Sequence, residues 1–398
     1  MHKYYYSNKD SWISDISHSQ NYGGDEVLEL HKAFSGDSVN GVTRTLLHFD
    51  LTDISKSIDE ETTPTDATYH LKLYSTETSE LPSTYEISAF ALSQSWEEGT
   101  GKLNSNPALQ DGVTWKNYDH RTANFTWSLG TTNGLGTSGS SSDRLEEEGG
   151  GIWFTGSRFQ QSQSFSYQSP DIDMDITNIV KRWITGSYSG GGEPGNPASI
   201  GANDPKFPNG LKNYGLILKF SGSYESSDNN RGDLKFFSSN THTIYSPKLE
   251  VRWNDSDSPA GNTHTASLSS LDMTGDVDNF IYVKGLRDEY KENETVKFRV
   301  GARKKYVGRT FATSVQTITG SFIPTGSGFY SIKDIVTDET IIPFGQFTSM
   351  SIDSNSNYFK QDLNTFQPNR VYKIILKVKY DDGQEHIIDD DYTFKVVR

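Results

Sequence analysis

"VYKIILKVKYDDGQEHIID", residues 371–389, decides the fold class. Ile374, Leu376, Val378 and Tyr380 recur at every second position, so an extended chain places all four on one face. The "DDG" that follows supplies a tight turn, and a second run starts directly after it. This is the pattern of an antiparallel hairpin with one face in a core.

Around this hairpin the C-terminal third repeats the signal in "FIYVKGL", "TVKFRVGARKKYV", "FYSIKDIV", "TSMSID" and "YTFKVV". A β-sandwich of immunoglobulin-like size is expected over 271–398. Further upstream, "EVLELHKAF", "VTRTLLHFDL", "TYHLKLYSTET", "TYEISAFAL", "NYGLILKFS", "LKFFSS" and "KLEVRW" are separated by turn-rich segments. In "RTLLHFDL", Leu46, His48 and Asp50 alternate with Leu47, Phe49 and Leu51, and Leu46 interrupts the polar face. One helix is predicted at about 176–185. Asp175 caps it, Ile176, Ile179, Val180 and Trp183 share a face, and Gly186 ends it. The expected fold is all-β: an N-terminal antiparallel β-sandwich with one short helix over 1–255, a linker at 256–270, and the C-terminal sandwich. "NDSDSPAGNTHTAS" (254–267) carries the linker signal. Two segments rich in Gly, Ser, Asn and Pro, 130–151 and 186–210, read as interaction arms.

Composition narrows the function. The 398 residues are 33% hydrophobic and 12% aromatic, and the absence of cysteine excludes disulfides and thiolate metal sites. The net charge of -15 argues against binding a nucleic-acid backbone. That acidity is uneven: residues 271–398 hold 17 Lys and Arg against 18 Asp and Glu, and the preceding 270 hold 20 against 34. The step marks a compositional boundary near 256–270. "MHKYYYSNKDSWISD" has no apolar signal region and no stretch reaches membrane-span length, so a soluble chain without membrane insertion is expected.

Several landmarks stand in a familiar order: "SQNYGGDEVLEL", "RTLLHFDLTDI", "SWEEGTG" before "DGVTWKNYD", "MDITNIVKRWITG", "NYGLILKF" and "FFSSNTHTIYSPKLEVRW". Together they cover residues 4–253 and resemble the DNRLRE-type domain, also grouped with family 96 carbohydrate-binding modules. The resemblance implies a β-sandwich of the kind found in adhesins, cell-surface proteins and polysaccharide-active enzymes, some of which bind acidic glycans. The C-terminal region, through "YKENETVKFRVGARKKYVGRTF" and "YSIKDIVTDETIIPFGQFTSMSIDSNSNYF", resembles domains of structural proteins in T4-like marine phages.

The richest candidate stretch is "SWEEGTGKLNSNPALQDGVTWKNYD", 95–119. Glu97 and Glu98 are adjacent, so on a strand they point to opposite faces and make a poor acid-base pair for glycoside hydrolysis. Trp96 and Trp115 are expected to anchor the loop on the core. Asp171, Asp173 and Asp175 in "DIDMDI" repeat at period two, which is more consistent with solvated strand-end carboxylates than with a Ca²⁺ loop. His18, His31, His48 and His242 show no metal-ligand spacing. "ARKKYVGR" (302–309) is the one basic cluster and reads as a strand's wet face. No nucleophile elbow, phosphate loop or dinucleotide fingerprint occurs.

No catalytic residue, cofactor or metal is therefore expected. Tyr118, Trp127 and Trp153 are the candidate glycan contacts, and the acidity favours neutral glycans. The function expected first is a non-enzymatic structural protein of a tailed-phage virion, a tail, baseplate or neck subunit. Its partners would be other virion proteins in a symmetric homo-oligomer, with host glycan as a further contact. The alternative is a carbohydrate-binding or adhesion module, extracellular or at a cell surface.

Overall fold

The computed structural model describes residues 1–35, 38–60, 63–79, 81–109, 111–121, 125–127, 137–140, 149–154, 156–166, 169–187, 212–226, 231–254, 268–274, 279–306 and 320–398. The chain divides into two compact units, Tyr5–Val251 and Arg252–Arg398, and Met1–Tyr4 is counted with the second. Both are built from β-sheets, and antiparallel pairing dominates. Residues 255–267, which carry most of the expected linker, lie outside the described residues, as does most of both Gly/Ser-rich segments.

In the N-terminal unit the larger sheet runs in the order Gln160–Ser166, Thr84–Ala91, Leu216–Phe220, Ser38–His48, Val27–Ser35, Gly232–Phe237, Ser75–Ser79. Lys9–Ser14 also pairs with Ser38–His48. A second sheet has the order His2–Tyr6, Lys248–Arg252, Thr68–Leu73, Ile172–Asp175. The strand Ser38–His48 departs from simple alternation. Leu46 and Leu47 are both wholly buried, because this strand is paired on both sides and covered on both faces. Its run of apolar and small residues is therefore a central strand, and Leu46 is no irregularity.

The helix spans Thr177–Ser187 and continues through Gly186, one residue past the expected stop. Asp175 does cap it: its Oδ1 accepts the Thr177 N–H at 2.9 Å. Ile176, Ile179, Val180 and Trp183 form the buried face, each at 1% exposure or less. A second helix, Thr52–Asp59, went unrecognised in the sequence, because "TDISKSID" is only eight residues and mostly polar.

The C-terminal unit has two sheets. One runs Ser269–Ser270, Ser321–Phe322, Thr295–Lys304, Asn357–Asp362, Ser351–Ile352, with Asn279–Lys284 also on Thr295–Lys304. The other runs Glu289–Lys291, Glu385–Val397, Arg370–Lys379, Gly328–Asp334, Thr340–Ile342. Their shared core holds Ile374, Leu376, Val378 and Tyr380, the face that alternation selects. Tyr330 stacks on Phe359 at 3.8 Å, and Phe298, Phe394 and Tyr372 continue the aromatic packing. The "DDG" turn closes as a hairpin, with Gly383 N–H donating to the Tyr380 carbonyl at 3.0 Å and a glycine φ of 86° that favours this residue. Two short pairs are parallel, Glu289–Lys291 with Glu385–Val397 and Ser269–Ser270 with Ser321–Phe322.

Candidate functional site

The stretch 95–119 is held by one asparagine. Asn21 Nδ2 donates to the Glu98 carbonyl at 2.6 Å and the Val113 carbonyl at 2.8 Å. Its Oδ1 accepts from the amides of Gly23 (3.1 Å) and Gly101 (2.8 Å). Loop backbone lacks a ladder to satisfy it, and a carboxamide with two donors and an acceptor does that work here. Gly23 lies so close that a Cβ would sit 2.0 Å from the Glu98 carbonyl oxygen. Trp96 and Trp115 anchor the loop at 3% and 0% exposure, and Trp96 Nε1 donates to the Tyr214 carbonyl at 2.9 Å. The loop's fixed conformation is thus architectural.

What it presents outward is a small hairpin. Tyr118 N–H donates to the Phe125 carbonyl at 3.0 Å, Trp127 N–H to the Lys116 carbonyl at 3.1 Å, and Asn117 bridges to Thr126. Cross-strand neighbours bring their side chains together. The Tyr118 and Phe125 rings stack at 5.3 Å with an interplanar angle of 13°. Trp127 supports Tyr118 edge-on at 6.1 Å from below, while Phe125 is 37% exposed. Between Tyr118 and Phe125 in sequence, Arg121 grips Asp119 with two parallel hydrogen bonds, Nε to Oδ1 at 2.9 Å and Nη2 to Oδ2 at 2.8 Å. Those bonds hold the Asp119 carboxyl below its ordinary range. The Arg121 side chain remains exposed, and Glu97 lies 3.8 Å from Nη2. With Phe125 exposed on half-buried Tyr118, and the exposed Arg121 cation close by in sequence, the hairpin can accept a ligand that has an apolar face and a hydroxylated rim.

Of the sequence-predicted contacts, Tyr118 lies in this arrangement. Trp127 and Trp153 are corrected to core residues, at 7% and 4% exposure within one apolar cluster. Trp127 Nε1 donates to the Thr114 carbonyl, and Trp153 lies under the Arg44 guanidinium at 5.1 Å. Phe125 and Arg121 were missed. Their signal was "NYDHRTANFTW", two aromatic residues flanking a polar turn.

The two glutamates of the stretch have unlike surroundings. Glu97 is exposed and pairs with Lys9 at 3.5 Å. Glu98 accepts the Asp10 amide at 2.9 Å, and burial pushes its carboxyl up to about 7. Asp171 accepts the Ser75 amide and hydroxyl, Asp173 meets His70 and Lys72, and Asp175 caps the helix, so all three carboxylates have protein partners. Among the described residues no three His, Cys, Asp or Glu side chains are grouped to hold a metal ion. His31 pairs with Asp233, His48 contacts Asn8 at 2.6 Å, and His242 sits in a left-handed turn. Of "ARKKYVGR", Arg303 covers the Phe280 ring and Lys304 reaches Asp272; residues 307–309 lie outside the described residues.

A cavity of about 520 Å³ lies elsewhere in this unit, lined by His48, Asp50, Leu51, Thr52, Ser55, Lys56 and Asn213. Two of its polar groups are committed. Asp50 accepts from Thr52, and Asn213 donates to the Phe49 carbonyl and accepts the Gly215 amide. It offers no ring for a sugar to lie on, so the Tyr118–Phe125 hairpin is the better site.

Residues 2–132 match the family model described as carbohydrate-binding module family 96. The match contains the whole lattice around Asn21 and every residue of the ring-bearing hairpin. No curated protein matches the chain. Among the described residues no helix is long and apolar enough to cross a membrane.

Proposed function

We propose that this chain is a non-catalytic carbohydrate-binding protein, acting outside the cell or at a cell surface, whose N-terminal unit docks a neutral glycan on Tyr118 and Phe125. The observation that carries the reading is the stacking of exposed Phe125 on half-buried Tyr118 inside the stretch that matches a carbohydrate-binding module family. A pyranose presents one face of C–H groups and a rim of hydroxyls. The rings suit the face, and Arg121 and Glu97 suit the rim. An acidic unit repels polyanions, which favours an uncharged ligand here. Among the described residues the site holds no pair of free carboxylates on opposite sides of a cleft, since Glu97 is ion-paired with Lys9 and Glu98 accepts the Asp10 amide of the strand Lys9–Ser14.

The phage-virion reading, with its virion partners and symmetric oligomer, gains no support from the fold or the family match. The test is glycan-array screening of the full chain, followed by titration of the best neutral ligand. Phe125→Ala and Arg121→Ala are expected to weaken binding about threefold to tenfold each, the worth of one aromatic or polar contact. Unchanged affinity in both variants, or turnover of the ligand, rejects the reading.

A further inference from the structure

The C-terminal unit, which the family match does not reach, carries a cleft of about 500 Å³. That size falls within the roughly 300–1,000 Å³ of small-ligand sites. Phe329 on Gly328–Asp334 stands directly opposite Lys377 on Arg370–Lys379, and Lys379, two residues on, shares that outward face. Glu385 is the cross-strand partner of Lys379. Phe344 and Gln346 come from the segment after Thr340–Ile342 and complete the lining, while Ser349 is bridge-paired with Phe329.

The lining sorts into committed and open groups. The Lys377 ammonium lies 5.4 Å and 5.1 Å from the Phe329 and Phe344 ring centroids. Both Glu385 oxygens accept from it at 3.2 Å, so its charge is satisfied within the protein. Lys379 is exposed and has no ion-pair partner among the described residues. Ser349 Oγ is buried without a hydrogen-bond partner, an unfavourable arrangement that a ligand hydroxyl would relieve. With two lysines and one glutamate, the cleft is locally cationic in a chain of net charge -15.

We infer that this cleft is a second saccharide site, for a sugar unit bearing one anionic group, a carboxylate or a sulfate ester. The rings of Phe329 and Phe344 take its apolar face, Lys379 its anion, and Ser349 and Gln346 its hydroxyls. A peptide strand fits less well, because the open groups are side chains and not a free backbone edge. The inference goes beyond the neutral-glycan reading of the N-terminal unit and does not need it: the two sites lie in different units, and one selects an uncharged ligand and the other an anionic one.

The test titrates the full chain with an oligogalacturonate hexamer, a sulfated galactan hexamer and the uncharged galactan hexamer. Amide NMR then locates the bound ligand. At least one anionic hexamer is expected to bind and to shift the Gln346 and Ser349 resonances. Lys379→Gln, an exposed substitution that leaves the core intact, is expected to weaken it about tenfold, and added salt to weaken it further. Phe125→Ala is expected to leave this binding unchanged while reducing the neutral ligand of the other unit. The two anionic arms distinguish carboxylate from sulfate. Binding of neither anionic hexamer, equal affinity in Lys379→Gln, or tighter binding of the uncharged hexamer overturns the inference.

Discussion

Arg44 and Glu225 meet inside the N-terminal unit as a two-point ion pair, Nε to Oε1 at 2.9 Å and Nη2 to Oε2 at 3.0 Å. Lys219 also contacts the carboxylate, and the Trp115 and Trp153 rings lie 4.9 Å and 5.1 Å from the guanidinium carbon. Burial works against the Glu225 charge, but the two cations outweigh it and hold the carboxyl below its ordinary range. Removing one member strands the others in a dry interior. Arg44→Met is therefore expected to destabilise the protein by about 3–5 kcal/mol. Urea unfolding followed by tryptophan fluorescence measures this, and a midpoint close to wild type contradicts it.

Asn21 sets up a sharper comparison. Asn21→Ala loses two donated and two accepted hydrogen bonds and is expected to cost about 2–4 kcal/mol. Asn21→Asp keeps the shape but turns a carboxylate oxygen toward the Glu98 and Val113 carbonyls, so it is expected to be worse than Ala. Gly23→Ala belongs with them, since its methyl collides with the Glu98 carbonyl. If Asn21→Asp unfolds at the same urea concentration as wild type, the carboxamide is not what fixes the loop.

The aromatic residues separate into two classes by the same method. Trp153→Ala empties a core position and is expected to cost about 3–5 kcal/mol. Phe125→Ala, at an exposed position, is expected to change stability by less than about 1 kcal/mol while reducing glycan affinity. A Trp153→Ala protein of wild-type stability and lost affinity would reverse the assignment.

How much of this was legible in the sequence follows from range. Period two in "VYKIILKVKY" and the glycine in "DDG" are local signals, and the hairpin they imply is present. Lys9–Ser14 and Gln160–Ser166 escaped notice because "KDSWIS" and "QQSQSFS" are mostly polar; pairing with strands remote in sequence makes them strands. Leu46 looked irregular because alternation assumes one wet face, and a doubly covered strand has none. At the site, Tyr118 was visible as an aromatic in a loop, but whether a tryptophan nearby is exposed or buried depends on what packs over it. That is why Trp127 and Trp153, offered as glycan contacts with burial in the core as the commoner fate, lie in the core, while Phe125 drew no notice. The pairing of Arg44 with Glu225, 181 residues apart, left no trace in local sequence.

The buried carboxyls predict an unusual pH response. Burial lifts Glu98 from 4.5 to about 7 and Asp15 from 3.8 to about 6 in the folded chain. Between the unfolded and folded values the native state binds more protons than the unfolded state, so stability falls as pH rises. The windows are about pH 4.5–7 for Glu98 and about pH 4–6 for Asp15. Below them both groups are protonated in either state and the penalty is absent. Glu98→Gln keeps an oxygen to accept the Asp10 amide but carries no charge. It is therefore expected to gain about 1–2 kcal/mol over wild type at pH 8, the gain being reduced by solvent screening of this half-buried group, and to converge on wild type as pH falls through 5 toward 4.5. Carboxylates held low by cations, Glu225 and Asp353, contribute in the opposite sense. Their stability is lost only as pH falls below the ordinary carboxylate range, which keeps the two effects apart. Urea midpoints at half-unit steps from pH 5 to 8 for both proteins decide the matter. Parallel curves, or a Glu98→Gln advantage that is greatest at pH 5, would show that Glu98 is ionised throughout and that burial does not control it.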